Sequence, residues 1–281
     1  MVRVAVRGVV PARVGQTTRY LEGPRPRLFA HRGASGTHPE NTLEAFAAGL
    51  AAGAERLELD VHATADGHVV VLHDAALERT TDGSGPVRER TLAELRALDA
   101  GHAFTTADGR HPWRGRGIRV PTLDELLAAH PGVPLNIEVK QEEPAIEEAV
   151  LASLDRHGAR AQTLLAAEHA SIMTRIRAAA PDVLTSCSAA EAAEFVFRLR
   201  DGQLAGWTTP AIALQVPPRY GDIDIVTPES VAAAHALGLE VHVWTINDAA
   251  EMGTLLDLGA DAIMTDVPAV AMDVLRRRGL R

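Results

Sequence analysis

The sequence predicts an α/β protein with the (β/α)8, or TIM, barrel fold. Short apolar runs alternate along the chain with Ala- and Leu-rich stretches of helical period. The alternation extends over about 250 residues, which is the usual size of such a barrel. No Gly-x-Gly-x-x-Gly motif follows a predicted strand, and this argues against a doubly wound dinucleotide-binding sheet.

Nine strands are predicted, at 28–31, 56–61, 69–73, 135–140, 162–166, 184–186, 212–216, 241–245 and 262–265. The helices predicted between them include 43–52, 92–98, 145–157, 170–179, 231–237 and 249–258. The first helix carries a capping signature, with Asn41 as the N-cap and Glu44 three residues later. Gly238 and Gly259 stand where helix C-caps are expected, each just before a new strand.

Two segments depart from the strand–helix alternation. Residues 1–26 predict an irregular N-terminal leader, followed by a barrel over residues 27–281. The leader has no apolar run ending in a small-residue cleavage site, so a cytoplasmic location is expected. Residues 75–121 contain turn residues and a loop rich in Gly and Arg, and they predict an insertion over the C-terminal mouth of the barrel.

Composition restricts the classes of partner. The 281 residues are 46% apolar and 23% charged, which is typical of a globular protein. The formal net charge of −9 and the absence of a basic stretch argue against nucleic-acid binding. The apolar runs are too short to span a membrane, and no stable membrane association is expected. Cys187 is the only cysteine, which excludes an internal disulfide and a thiolate-built zinc site.

Carboxylates alternate with apolar residues in two predicted strands. Because side chains of a strand alternate between its faces, Glu58 and Asp60 share one face, and Asn136, Glu138 and Lys140 share another. Helices cover the outside of a barrel, so these polar faces point inward. Three inward carboxylates repel one another unless a cation is bound, and an all-oxygen set suits Mg²⁺ or Ca²⁺. The alternative is a set of structural carboxylates held by ion pairs.

Other candidate residues also follow predicted strands. His31 and His73 each end a strand, which is consistent with an acid/base pair near the carboxylates. Trp244 ends a later strand and is either a wall of the substrate pocket or a core aromatic. Lys140 is the one lysine among 28 basic residues, which indicates that its position requires an ammonium group.

Eight motifs occur in a fixed order along the chain: His31-Arg32-Gly33, Pro39-Glu40-Asn41-Thr42, Leu57-Glu58-Leu59-Asp60, Val71-Leu72-His73-Asp74, Arg79-Thr80-Thr81, Asn136-Ile137-Glu138-Val139-Lys140, Val243-Trp244-Thr245-Ile246-Asn247 and Thr265-Asp266-Val267-Pro268. From about Leu28 to Val270, this order resembles that of the glycerophosphodiester phosphodiesterase family. The resemblance implies a TIM barrel with a small insertion after the second strand region, where residues 75–121 fall.

The resemblance also implies roles for single residues. The family's metal ligands match Glu58, Asp60 and Glu138; its catalytic histidines match His31 and His73; and its phosphate-contacting lysine matches Lys140. We expect Arg32 to hold phosphate oxygens as well, Trp244 to line the pocket, His31 to act as acid and His73 to act as base. One divalent cation, Mg²⁺ or Ca²⁺, is the expected cofactor.

The expected reaction is hydrolysis of glycerophosphodiesters, such as glycerophosphocholine or glycerophosphoethanolamine, to sn-glycerol 3-phosphate and an alcohol. Two alternatives differ in class. One is a lipid-directed phosphodiesterase on the same barrel, similar to phospholipase D toxins. The other is a catalytically silent barrel that serves as a binding module. The acidic charge and the few aromatic residues argue against the lipid-directed enzyme.

Overall fold

The computed structural model describes residues 19–281, and its strands form a barrel. The strands are β1 (Arg27–His31), β2 (Arg56–Ala63), β3 (Val69–Val71), β4 (Leu135–Val139), β5 (Thr163–Ala166), β6 (Leu184–Thr185), β7 (Ala213–Val216), β8 (Arg219–Tyr220), β9 (Ile223–Asp224), β10 (Glu240–Val243) and β11 (Ala262–Thr265). Eight of them run parallel in the order β6–β5–β4–β2–β1–β11–β10–β7. A parallel bridge between Ser186 and Ala213 joins the two ends of this order. The predicted TIM barrel is confirmed.

Helices connect the barrel strands and pack on their outer face, except the second helix, which lies within residues 75–121. They are α1 (Leu43–Ala51), α2 (Leu92–Arg96), α3 (Leu123–Ala129), α4 (Glu147–Arg156), α5 (Ala170–Ala179), α6 (Ala189–Arg200), α7 (Pro228–Ala236), α8 (Ala249–Asp257) and α9 (Pro268–Arg277). Helices α3, α6 and α9 are not among the helices predicted from the sequence. Capping boxes at Thr122 and Ser188 and a proline in the first turn, Pro268, mark where these helices begin.

Among residues 19–281, no helix is both long enough and apolar enough to cross a lipid bilayer. The cytoplasmic location stays a prediction.

The two predicted C-cap glycines have the expected backbone conformation. Gly238 and Gly259 take φ angles of 77° and 96°, a left-handed region that is strained for residues with a Cβ and therefore favours glycine.

The inside of the barrel holds a small apolar cluster below its mouth. Phe29, Leu164 and Met264 belong to this cluster and are buried, and Tyr20 joins them with no exposed surface. Tyr20 falls within the predicted leader 1–26, so the C-terminal part of that segment is packed against the barrel. Residues 1–18 of the leader lie outside the described residues.

The predicted N-cap of the first helix is wrong by one residue. Thr42 is the N-cap of α1, and its side-chain oxygen accepts a hydrogen bond from the Ala45 amide at 3.2 Å. Asn41 instead takes a φ angle of 58°, and its side chain donates to Asp60 at 3.0 Å. The local capping rule fails here because Asn41 is used in a contact with the next strand of the barrel.

The predicted strand at 69–73 is not one of the eight barrel strands. Strand β3 pairs antiparallel with the end of β2, with Val71 opposite Val61, and His73 follows it by two residues. The segment 75–121 comes next and has its own buried apolar residues, Leu77 and Leu95 among them. The domain boundaries 27–281 and 75–121 stay predictions.

Candidate active site

Three carboxylates meet at the C-terminal end of two neighbouring strands. The parallel register of β2 and β4 places Glu58 opposite Asn136 and Asp60 opposite Glu138. Glu58, Asp60 and Glu138 can each offer one oxygen such that the three oxygens lie within 4.8 Å of one another. Glu58 is 3% exposed and Asp60 is 1% exposed, so water screens their repulsion poorly.

The titration of these groups reflects the crowding of negative charge. Burial, and next the charge of Asp60, raise the pKa of Glu58 to about 8. Burial would also raise the pKa of Asp60, but the cations Lys140 and Arg32 outweigh it and hold this pKa below its usual range. The ionised form of Glu58 is therefore disfavoured, and additional positive charge would stabilise it.

This group of side chains fits a divalent cation. All three offer carboxylate oxygens, which are the donors that Mg²⁺ and Ca²⁺ prefer. The raised pKa of Glu58 indicates that the neighbouring cations do not fully compensate the negative charge. The three residues predicted as metal ligands are thus brought together in a geometry that can hold one metal ion.

Two basic side chains lie beside the carboxylates. Lys140 Nζ is 2.8 Å from Glu138 Oε1 and 3.4 Å from Asp60 Oδ1. Arg32 Nε is 3.2 Å from Asp60 Oδ2, yet this buried N–H makes no hydrogen bond to any group of residues 19–281. The backbone amide of Arg32 donates to the side chain of Glu58 at 3.1 Å. Both predicted phosphate-binding residues therefore border the carboxylates, and Arg32 retains a free donor.

His31 is held by a carboxylate from the last barrel strand. Its Nδ1 lies 2.7 Å from Asp266 Oδ1, and its Nε2 lies 3.8 Å from Glu58 Oε2. Burial alone would lower the pKa of His31, but the charges of Glu58 and Asp266 outweigh it and raise the pKa. Ser35 Oγ and Asn247 Nδ2 each donate to Asp266 at 2.7 Å. Since a carboxylate only accepts, Nδ1 is the donor and Nε2 faces the site.

His73 has a similar partner next to it in the chain. Its Nδ1 lies 2.6 Å from Asp74 Oδ1, and Arg79 donates to the same carboxylate. Burial would raise the pKa of Asp74, but the hydrogen bonds from Arg79 and His73 lower it to about 2. The His62 ring donates from Nε2 to the backbone carbonyl of His73 at 3.1 Å. The side chain and backbone of His73 are therefore both held.

Trp244 lies at the end of β10, on the same end of the barrel as the carboxylates. It is 41% exposed, so it is not a core aromatic. Its backbone amide donates to the carbonyl of Val216 on the neighbouring strand β7 at 3.2 Å. Its part in lining a substrate pocket stays a prediction.

Several residues of the site have no predicted role. Asp266 and Asp74 belong to the motifs quoted above, and each partners an imidazole. Asn41, the predicted helix cap, contacts Asp60 instead. Glu40 and Arg79 also lacked a role, and they pair with each other. The sequence does contain a signal for Asp74, because this carboxylate directly follows His73 at the end of a predicted strand.

Comparisons with known proteins agree on one family. Residues 31–270 match the model of the glycerophosphoryl diester phosphodiesterase family. A glycerophosphodiester phosphodiesterase of Caldanaerobacter subterraneus is 30% identical over 261 residues, which cover 90% of this chain and 98% of the relative. The crystal structure of a glycerophosphoryl diester phosphodiesterase domain from Mycobacterium tuberculosis has a TM-score of 0.78 at 24% identity, covering 90% of this chain and 99% of that one.

A further structural relative carries a bound molecule. It is an Oleispira antarctica phosphodiesterase in complex with the product sn-glycerol-3-phosphate, and its TM-score to this chain is 0.73. The two chains are 27% identical, with 90% of this chain and 97% of that one covered. The family model covers well over half of the sequence, and the barrel and the order of motifs agree with it. This chain therefore belongs to the glycerophosphoryl diester phosphodiesterase family.

Proposed function

We propose that this enzyme hydrolyses glycerophosphodiesters, such as glycerophosphocholine or glycerophosphoethanolamine, to sn-glycerol 3-phosphate and an alcohol. The observation that carries the proposal is the grouping at one barrel mouth of three carboxylates with His31, whose ring is fixed by Asp266. Family membership supports the reaction class, and the product bound to the Oleispira antarctica relative supports the identity of the phosphate product.

The carboxylates of Glu58, Asp60 and Glu138 would hold one divalent cation, Mg²⁺ or Ca²⁺. Such an ion, when bound, offsets the negative charge of a phosphodiester and fixes the orientation of the substrate. The oxygen-only donor set and the raised pKa of Glu58 support this assignment.

Arg32 and Lys140 would bind the non-bridging oxygens of the phosphate. Arg32 has a buried Nε–H without a hydrogen-bond partner in the described chain, and this Nε lies 3.2 Å from Asp60 Oδ2, so the guanidinium charge is held beside the carboxylates. Lys140 presents a compact ammonium group 2.8 Å from Glu138, which places positive charge beside the carboxylates. Together they offset charge that develops on phosphoryl oxygens as the bond to the alcohol breaks.

The two imidazoles would move the protons. His73 accepts a proton at Nε2 from the attacking hydroxyl, which belongs to water or to the 2-hydroxyl of the glycerol group. A new P–O bond forms, the P–O bond to the alcohol breaks, and His31 donates its Nε2 proton to the departing oxygen. Attack by water gives sn-glycerol 3-phosphate directly. Attack by the 2-hydroxyl gives a cyclic phosphate, which a water molecule then opens to sn-glycerol 3-phosphate, with one imidazole taking the proton of the water and the other protonating the 2-oxygen that leaves phosphorus. The carboxylate of Asp266, 2.7 Å from His31 Nδ1, stabilises the protonated ring, which supports the role of His31 as the acid.

The test is turnover of glycerophosphocholine by the full-length protein with added Mg²⁺ or Ca²⁺. We expect equimolar release of choline and sn-glycerol 3-phosphate, and loss of this release in EDTA. Micelles of lysophosphatidylcholine serve as the comparison substrate for a lipid-directed enzyme. Faster turnover of the micellar lipid, or full activity in EDTA, would contradict the proposal.

A further inference from the structure

Two motifs to which the proposed mechanism gives no role meet in space. Glu40 belongs to the segment before α1, and Arg79 belongs to the segment that follows β3. Arg79 Nη1 donates to Glu40 Oε2 at 2.7 Å, and Arg79 Nη2 donates to Glu40 Oε1 at 2.7 Å. This two-point ion pair connects residues that are 39 positions apart in the chain.

The pair is part of a longer chain of polar contacts. Arg79 also donates through Nε and Nη2 to the two oxygens of Asp74, whose Oδ1 lies 2.6 Å from His73 Nδ1. On the other side, Glu40 Oε1 accepts from Arg32 Nη1 at 3.0 Å. A continuous path therefore runs from the imidazole of His73 to the guanidinium of Arg32.

Arginine is the side chain that this path requires. Its planar guanidinium has donors on three nitrogens, and Arg79 uses all three on the two carboxylates of Glu40 and Asp74. The Arg79 side chain is 46% exposed, and an ion pair at such a site contributes little to folding stability. The arrangement fixes the direction of Asp74 more than it stabilises the fold.

We propose that Glu40 and Arg79 are positioning residues for His73, and that they act through Asp74. Glu40 holds the guanidinium of Arg79 in place, and Arg79 holds both oxygens of Asp74, so Asp74 presents one fixed lone pair to His73 Nδ1. Without Arg79, the carboxylate of Asp74 rotates freely and the ring of His73 loses its orientation. This inference rests on the role that we propose for His73.

The first experiment compares Arg79→Ala, Arg79→Lys and Glu40→Gln with the wild type on glycerophosphocholine at saturating cation. Arg96→Ala is the matched control, because Arg96 is 45% exposed and pairs with Glu125 at 2.8 Å outside the described path. We expect Arg79→Ala to lower kcat by about 10- to 100-fold, the usual effect of losing an outer hydrogen-bonding partner, with KM within about threefold.

The Arg79→Lys variant separates the effect of geometry from the effect of charge. It keeps the positive charge but loses the planar guanidinium that hydrogen-bonds both carboxylates, so its kcat should stay close to that of Arg79→Ala. Arg96→Ala should retain the wild-type kcat, and its melting temperature should match that of Arg79→Ala. If Arg79→Ala does not fold, Arg79→Lys carries the same comparison. A kcat within about threefold of the wild type in both Arg79 variants would overturn the inference.

The second experiment measures coupling to His73. In a His73→Ala background, adding Arg79→Ala should lower kcat by less than about threefold, because the side chain it positions is already absent. An equal loss in both backgrounds would show that Arg79 does not act through His73, and would overturn the inference alone. Wild-type activity of His73→Ala itself would contradict the proposed function and remove the basis of the inference with it.

Discussion

Asp266 Oδ1 lies 2.7 Å from His31 Nδ1, although 235 positions separate the two residues in the chain. The register of the barrel explains the contact. Strands β1 and β11 are parallel neighbours with Ala30 opposite Thr265. The next residues along the chain, His31 and Asp266, therefore lie at the same level of the mouth. The contact directs Nε2 of His31 toward Glu58.

Replacing this carboxylate should disable the imidazole. In Asp266→Asn an amide replaces the carboxylate, which removes the anion that holds the protonated ring in place. We expect kcat on glycerophosphocholine to fall by at least about 10²-fold, the scale for losing a positioned acid. Ser35→Ala is the control, since it removes a different hydrogen bond to Asp266 and keeps the contact with His31. Equal kcat values for the two variants would contradict the assignment.

The contribution of Glu58 to the stability of the metal-free protein should fall as pH rises. The folded-state pKa of Glu58 is about 8, against an ordinary value of 4.5, so between these pH values the folded chain keeps a proton that the unfolded chain has released. The unfolded state binds fewer protons, and the free energy of unfolding therefore decreases with pH across this window.

Urea unfolding in EDTA between pH 5 and 8 measures this trend. Glu58→Gln should show a shallower pH dependence than the wild type, because it lacks the titrating carboxyl. Added Mg²⁺ or Ca²⁺ should stabilise the wild type more at pH 8 than at pH 5, since the ion binds the ionised carboxylate. A cation effect that is the same at both pH values would contradict the assignment of Glu58 as a ligand.

Asn41 should affect cation binding through Asp60. Its Nδ2 donates to Asp60 Oδ2 at 3.0 Å, and its backbone has a φ angle of 58°. Asn41→Gly removes the side chain and tolerates this φ angle, so it isolates the loss of the hydrogen bond. We expect Mg²⁺ or Ca²⁺ affinity, measured by calorimetry, to fall by about 10- to 100-fold. Unchanged affinity would show that Asp60 does not need this donor.

Lys140 should not be replaceable by arginine. Its Nζ lies 2.8 Å from Glu138 and 3.4 Å from Asp60, so a broad guanidinium at this position would grip both carboxylates and crowd the cation. We expect Lys140→Arg to lower kcat/KM on glycerophosphocholine nearly as much as Lys140→Ala, with little change in melting temperature. Activity of Lys140→Arg within about threefold of the wild type would mean that any positively charged side chain suffices at this position.

The alternation of polar and apolar residues within single strands was enough to find the carboxylates of the site. The alternation of side chains along β2 is a property of any strand, so Glu58 and Asp60 could be placed on one face from the sequence alone. The same rule placed Glu138 and Lys140 together on β4 and at its end. The barrel itself follows from the repeated strand–helix alternation, which is also local.

Contacts between distant segments could not be predicted in this way. The pairing of His31 with Asp266 depends on the register between the first and last strands, which alternation within one strand does not determine. An apolar run also does not show whether a strand pairs parallel or antiparallel with its neighbour. The strand before His73 could therefore be recognised, but its antiparallel pairing with β2, outside the barrel, could not be predicted. Asn41 fits a capping rule that a tertiary contact overrides.

The division of proton transfer between His31 and His73 is the central claim, and a change of leaving group tests it most directly. The measurement is kcat/KM of His31→Ala and His73→Ala on glycerophosphocholine and on a nitrophenyl phosphodiester. Both variants should lose at least about 10²-fold on glycerophosphocholine. On the nitrophenyl diester, whose leaving group needs no proton, His31→Ala should recover most of its activity and His73→Ala should not. Recovery of His73→Ala alone, or of neither variant, would contradict the assignment.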